Sequence, residues 1–371
     1  MVIKDAHELE PGMILAQDVL NSFDTVVITA GTELTTGLIM NLQTMNVDFV
    51  FIEEEQVPEY TVEPLGDIPE LAFDKKSTSN TQVQKSVQDV NRIEKFEMGV
   101  QYYKDMYLSV QLGNTIKHLE VLEVVKELVQ EFYKYDDIFS VLKRLKSDEP
   151  YEYTHTTCMC IISVLLAKWL KLPHQKIYTL AQAAYLSDLG KSIIPKDILD
   201  KKESLTADEQ MMVQSHVVMT QDILEKSGGF SSEIIQIAAT HHERLNGTGY
   251  PYSLDKESIT QLSRIVAVAD TYHALLSHRP YREAFSIFEA TEMLWNMSYN
   301  ELDPKVIERL VKFITSFWVG GKVMLSNGMT GEVIMANQYD KFRPLVKVND
   351  GFIDLSQDRS CKIIDIVSAV S

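Results

Sequence analysis

Two adjacent histidines, His241 and His242, lead into the loop Glu243-Arg244-Leu245-Asn246-Gly247-Thr248-Gly249-Tyr250-Pro251. Neighbouring imidazoles at a helix end can offer two nitrogen ligands to one metal ion. A glycine-punctuated turn beside them lets backbone come close to a flat or phosphorylated ligand, because glycine carries no Cβ. Elsewhere in the chain Asp188, His216 and Asp270 supply two carboxylates and a further imidazole. These residue types together point to a metal-centred site suited to a phosphodiester.

Helical spacing decides which elements could bring them together. Ile177, Ala181, Ala184 and Asp188 recur at i, i+4, i+7 and i+11, which sets Asp188 on an apolar stripe. Met212, His216, Met219 and Ile223 repeat that geometry. Ile234, Ala238 and His241 form one stripe, with Ile235, Ala238 and His242 beside it. Val266, Ala267, Asp270 and Ala274 turn Asp270 inward, and His155 begins a helix whose buried face continues through Ile162 and Leu166. A buried carboxylate needs a cation or strong donors. Taken singly, each residue has an ordinary explanation. His155 or His216 could be core histidines bonded to backbone, Asp188 could pair with Lys191, Gly190 could end a helix, and Asn246–Gly249 could be a plain turn. Their conjunction on separate inward-facing helices favours one shared site.

A chain of 371 residues suggests two or three domains. Its net charge of -18 argues against broad DNA or RNA binding, yet leaves room for a small phosphate ligand in a local basic pocket. Three cysteines make no disulfide framework and fit a reducing cytosol. Cys158 and Cys160, two apart on a helix, read as core filling. The N-terminus lacks a signal-peptide pattern. The longest apolar run, Cys158 to Ala167, stops at Lys168, too short to span a bilayer. A cytoplasmic location is expected.

Residues 1–54 read as a mixed α/β module, with β-like Val26–Ile28 and Phe49–Ile52 and an amphipathic Thr35–Met45. Residues 55–85 read as a polar linker, 86–135 as connecting helices and 136–318 as a helical domain. Within it Thr206-Ala207-Asp208-Glu209 is a capping box opening a helix toward Leu224, and Asp303-Pro304 opens another to Trp318. After Gly320-Gly321 the period becomes two, and Asn327-Gly328 joins Lys322–Leu325 to Glu332–Met335 as a hairpin. Leu345–Val348, Phe352–Leu355 and Cys361–Val367 add strands, so 320–371 is expected to be a small β-barrel-like domain.

Residues 136–318 resemble an HD-GYP domain, the bacterial helical phosphohydrolase that degrades cyclic di-GMP. The resemblance rests on Ala183-Ala184-Tyr185-Leu186-Ser187-Asp188-Leu189-Gly190-Lys191, on His216, on His241 through Pro251, on Ala267-Val268-Ala269-Asp270-Thr271-Tyr272-His273-Ala274-Leu275, and on Arg279-Pro280-Tyr281-Arg282. Leu9-Glu10-Pro11-Gly12-Met13 also resembles a segment that often precedes such domains. The resemblance implies a mainly α fold, an all-helical HD-type phosphohydrolase core with the two small terminal modules. It implies one or two divalent transition metals, iron or manganese. Asp188 would bridge two ions, His216, His241 and His242 would complete one set, and His155 and Asp270 would hold the other ion with the histidine of a His-Asp doublet. Asp188 and Lys191 would carry catalysis. Lys191, Arg279 and Arg282 would grip phosphates, with Gly249, Tyr250 and Pro251 against the ligand.

Four positions depart from that pattern. The doublet reads Ser187-Asp188, and serine is a poor neutral ligand beside imidazole. Tyr151 stands where members with a third metal carry a carboxylate, so no trinuclear centre is expected. His273 replaces a customary aspartate, and Val217 a proline. Either the second ion is weakened and hydrolysis with it, or His273, at i+3 from Asp270, compensates. Two functions therefore stand open: a metal-dependent phosphodiesterase cleaving cyclic di-GMP to linear pGpG and/or GMP, and a catalytically inactive cyclic-dinucleotide sensor or protein-interaction module. A homodimer or protein partner would use the terminal modules; the segment from Val100 to Phe132 is long enough to pair through an apolar helix face, but packing within the chain is the favoured role for it. A general nucleotide phosphohydrolase of the same fold would not need the Gly-Tyr-Pro loop.

Overall fold

The structure is a computed structural model and describes residues 2–5, 9–20, 26–44, 49–52, 80–135, 149–277, 284–316, 318–337, 340–349 and 351–368. Arg279 and Arg282, and nearly all of the expected linker at 55–85, lie outside them. The chain is mainly α and divides into two units, Met1–Gln84 and Lys85–Ser371. In the first, β1 (Val2–Asp5) pairs antiparallel with β4 (Phe49–Ile52), β2 (Val19–Leu20) pairs with β3 (Val26–Ile28), and α1 (Thr36–Thr44) lies between them in sequence. Leu15, Leu34 and Leu42 are buried in its small core.

The second unit is built around α4 (Tyr151–Trp169), which is buried on nearly every side from His155 to Ala167. A helix that apolar all round must be enclosed by others. Around it run α2 (Asn80–Gln111), α3 (His118–Phe132), α5 (His174–Leu186), α10 (Gln261–Leu276) and α12 (Pro304–Ser316), with α11 (Ile287–Met297) packed on α10 and α12. Cys158 and Cys160 are core filling as expected, and burial pushes the Cys158 thiol up to about 12. Asp303 caps α12 through its Oδ1, which accepts from Lys305 N at 2.9 Å. Among the described residues no helix is long and apolar enough to cross a membrane.

The middle of the unit sets the geometry of the polar residues. α5 stops at Leu186, and a 3-10 turn, Leu189–Ile193, follows Asp188. After α6 (Lys196–Leu199), the capping box of Thr206 and Glu209 opens α7 (Ala207–Gln214). The expected single helix toward Leu224 is instead two. It breaks at Ser215, and α8 (His216–Ser227) begins at the histidine. The break falls where the Val213 carbonyl accepts from His216 Nδ1 at 2.7 Å, so the ring folds back onto the preceding turn. Met212 is correspondingly 41% exposed and does not share the buried stripe expected for it. α9 (Ser232–Thr240) ends at His241.

Gly190 is the point where the 3-10 turn meets α8. A Cβ there would overlap the His216 carbonyl oxygen and lie 2.7 Å from the Thr220 nitrogen. Thr220 Oγ1 accepts from Gly190 N at 2.8 Å and donates to Ser187 O at 3.0 Å. The glycine therefore does more than end a helix. Its missing side chain lets His216 come alongside Asp188.

The C-terminal strands form a five-stranded antiparallel sheet in the order β8 (Gly351–Asp354), β7 (Leu345–Val348), β6 (Thr330–Met335), β5 (Lys322–Leu325), β9 (Ile363–Ser368). The β5–β6 hairpin turns at Gly328, whose φ of 82° suits glycine. Among the described residues β8 and β9 are the two edges, so the pairing is that of an open sheet. Trp318 stacks on Phe288 with ring centroids 4.9 Å apart, joining the sheet to α11.

Gly190→Ala is expected to lower stability by 3 kcal/mol or more, at or above the usual overpacking range of ~1–3 kcal/mol, because both atoms it would strike belong to backbone. Gly247→Ala, at φ 74° with nothing near the added methyl, should cost only about 1–2 kcal/mol. Denaturant midpoints of the two variants check this ordering, and equal losses would contradict the packing role of Gly190.

Candidate metal centre

Asp188, His216, His241 and His242 each offer one ligand atom, and these atoms all lie within 4.8 Å of one another. The tautomers of two rings follow from their partners. His216 Nδ1 is 2.7 Å from Val213 O and His241 Nδ1 is 2.7 Å from Ala238 O. A carbonyl oxygen can only accept, so both Nδ1 atoms carry hydrogen, and each ring in its neutral form presents a bare lone pair at Nε2. His216 Nε2 lies 3.2 Å and His241 Nε2 3.8 Å from Asp188 Oδ1. These approaches lack hydrogen-bond geometry: all three atoms are buried and without a hydrogen-bond partner among the described residues. Lone pairs facing one another in a solvent-free space repel unless a cation sits among them. Imidazole nitrogen with carboxylate oxygen is the donor set of divalent transition metals, so these residues fit such an ion.

A second group adjoins the first. His155 Nε2 is 3.1 Å from Asp270 Oδ1 and 3.7 Å from Asp188 Oδ2, while Asp270 Oδ2 is 3.5 Å from His242 Nδ1. Asp188 thus faces both groups, one oxygen toward each. Lys191 Nζ lies 2.6 Å from Asp188 Oδ2. Ser187 brings no ring nitrogen to the second group, and its hydroxyl donates to Ala183 O at 2.6 Å. His273 does not approach the carboxylates through its Nδ1 either. That atom is 2.8 Å from His155 Nδ1, the opposite ring nitrogen from the one facing Asp270.

Electrostatics follow the crowding. Burial disfavours charge on Asp188, but the Lys191 ammonium and the His216 and His155 rings outweigh it and hold the carboxyl well below the usual range. Burial likewise opposes charge on Asp270, and the His242 and His155 rings hold it low. Desolvation pushes His241 down to about 4 despite the pull of Asp188 and Asp270. It also lowers His242, with the neighbouring His241 adding to the effect. At neutral pH the carboxylates are charged and these two imidazoles neutral, the protonation states a cation requires.

The glycine loop sits over the first group. Tyr250 stacks on His242 with centroids 4.7 Å apart, and the Tyr250–Pro251 peptide is cis. Gly249 makes its close approach to the protein's own backbone, since a Cβ there would collide with Glu243 and Arg244. Glu243, to which the sequence assigns no role of its own, holds the loop with its buried carboxylate, which accepts from Tyr252 N at 2.8 Å and Leu254 N at 3.0 Å. The signal was its place directly after the two histidines. Beside Asp188 and Lys191 opens a cavity of about 540 Å³, walled by Tyr151 and Glu152 on one side and residues 198–205 on the other. That volume suits a small-molecule ligand.

Comparison with known proteins agrees with this architecture. The HD domain family matches residues 140–306. The chain is 31% identical over 245 residues to the cyclic di-GMP phosphodiesterase PA4108 of Pseudomonas aeruginosa, covering 66% of this chain and 58% of that protein. It is 33% identical over 170 residues to 3'3'-cGAMP-specific phosphodiesterase 3 of Vibrio cholerae, covering 46% and 37%. A cyclic di-GMP phosphodiesterase of Thermotoga maritima is 33% identical over 216 residues, covering 56% and 57%. The matched stretches therefore span between 37% and 58% of these relatives' own lengths.

His241 gives a pH dependence with a definite sign. Above pH 6.5 it is neutral whether the chain is folded or unfolded. Between 6.5 and about 4 only the unfolded chain takes up the proton, so stability of the metal-free protein should fall with pH by up to about 3 kcal/mol. Urea unfolding at pH 7.5 and pH 5 measures this. His241→Gln should flatten the slope, and a wild type equally stable at both pH values would contradict the buried neutral imidazole.

Proposed function

On the premise that this chain belongs to the HD-GYP family of HD-domain proteins, we propose that it is a metal-dependent phosphodiesterase acting on a cyclic dinucleotide, cyclic di-GMP foremost, and releasing linear pGpG and/or GMP. The observation that carries this reading is the buried meeting of Asp188 Oδ1 with two bare imidazole nitrogens. A bound iron or manganese ion supplies Lewis acidity toward a phosphoryl oxygen and the attacking water. Asp188, His216, His241 and His242 would hold one ion, and His155 and Asp270 would hold a second with the other oxygen of Asp188.

The chain's own groups account for the rest. Lys191 is fixed by Asp188 at the cavity wall, where its ammonium would neutralise charge building on the phosphate. Tyr250, stacked on His242 above the cluster, would bound the ligand on the loop side. Arg279 and Arg282 join this proposal by family resemblance, as further phosphate contacts. In the hydrolysis a water oxygen bonds to phosphorus, the P–O3′ bond breaks and the leaving oxygen takes up a proton. Relatives named for cyclic di-GMP and for 3'3'-cGAMP support the cyclic-dinucleotide class.

One observation favours a second reading. Serine is a poor ligand where a ring nitrogen is expected, and the Ser187 hydroxyl turns back to Ala183 O, so the His155/Asp270 position would have one ligand fewer. A cyclic-dinucleotide sensor that binds without cleaving would follow if that position stays empty.

Turnover of cyclic di-GMP with added manganese or iron(II), beside a binding titration, separates the two. We expect slow cleavage, faster in Ser187→His, and a loss of roughly a hundredfold or more in Asp188→Asn. Binding at saturating metal with no cleavage in either the wild type or Ser187→His would contradict the phosphodiesterase.

A further inference from the structure

His155 can serve a cation through Nε2 only if its proton rests on Nδ1, and a buried N–H needs an acceptor. His216 and His241 solve this with backbone carbonyls three residues earlier. His155 does not use that device. Facing its Nδ1 are two side-chain atoms, His273 Nδ1 at 2.8 Å and Tyr151 Oη at 2.9 Å. Both rings also pack on the imidazole: Tyr151 stacks on it at 4.9 Å between centroids, and His273 lies tilted at 5.0 Å. Ser277 Oγ stands 3.4 Å from His273 Nδ1 on the following turn.

We propose that His273 is a positioning residue for His155: in the metal-free protein Asp270 Oδ1 accepts from His155 Nε2 at 3.1 Å, and when a cation takes Nε2 the proton would rest on Nδ1, where the His273 Nδ1 lone pair would accept it with Tyr151 bracing the ring. This rests on the metal-dependent reading above and deepens it. His273 acts behind the ligand instead of replacing the missing one. A neutral imidazole is a weaker acceptor than a carboxylate and makes the ligand it orients less basic. The two cation positions then differ in kind. One is served by backbone-oriented histidines and is tight. The other lacks a ligand at Ser187, has its histidine oriented by a neutral ring, and is weak.

Equilibrium dialysis of the full chain against manganese, with metal content measured directly, tests this without reference to turnover. We expect two classes of site in the wild type. His273→Ala should weaken the second class about 10–100-fold and leave the first unchanged, which also shows that the variant folds. His273→Asp should restore the second class and tighten it beyond wild type. The same pair of variants made in Ser187→His, where a histidine returns, should move the second class in the same directions. A second class that ignores residue 273 in both backgrounds overturns the proposal. So does a visible spectrum of cobalt-loaded His273→Ala that reports one ligand fewer, since His273 would then bind the ion itself. Absence of cleavage by a wild type that still shows these shifts would sink the phosphodiesterase alone.

Discussion

Asp188 Oδ1, His216 Nε2 and His241 Nε2 meet in a space closed to solvent, with both ring protons already committed elsewhere. Three lone-pair-bearing atoms pressed together in a low-dielectric interior repel one another. Much of the surrounding structure holds them there regardless. Thr220 joins the end of α5 to the 3-10 turn, Gly190 lets α8 close onto that turn, and Glu243 pins the loop that carries Tyr250 over His242. The fold thus holds a set of donors that fits a cation, whose binding free energy would relieve the repulsion.

The same constraint ties stability to function. Desolvation keeps His241 and His242 neutral, which is the form a ligand must take, and it makes the metal-free protein sensitive to acid. The two carboxylates are held ionised by neighbours of opposite or potential positive charge. Nothing comparable supports Ser187. Its hydroxyl donates back to Ala183 O, so the second group would offer a cation fewer donors than the first.

Much of this was legible from residue types and periods. The His-His doublet, the inward stripes ending at Asp188 and Asp270, the capping box at Thr206 and the Asn327-Gly328 hairpin are local patterns, and local patterns survive folding. Where the reading went astray, the cause was long-range. Met212 appeared to continue the His216 stripe, but the helix breaks at Ser215 because the His216 ring turns back to Val213. Gly190 suggested only a helix end, whereas it clears space for the His216 and Thr220 backbone of α8; Gly249 clears space for the Glu243–Arg244 backbone of its own loop. The contact between His155 and His273 joins residues 118 positions apart, and no spacing rule anticipates which nitrogen of one ring faces the other. Glu243 was visible but mute, since only the folded loop shows which amides it accepts from.

X-ray absorption at the metal edge of protein loaded with a single equivalent of manganese or iron tests the central claim most directly. The account predicts a first shell of imidazole nitrogens and carboxylate oxygen, with outer-shell ring scattering from three histidines that falls by one third in His216→Ala. An ion whose shell holds only oxygen, or ring scattering unchanged by that substitution, would show that Asp188, His216, His241 and His242 come together for some other reason.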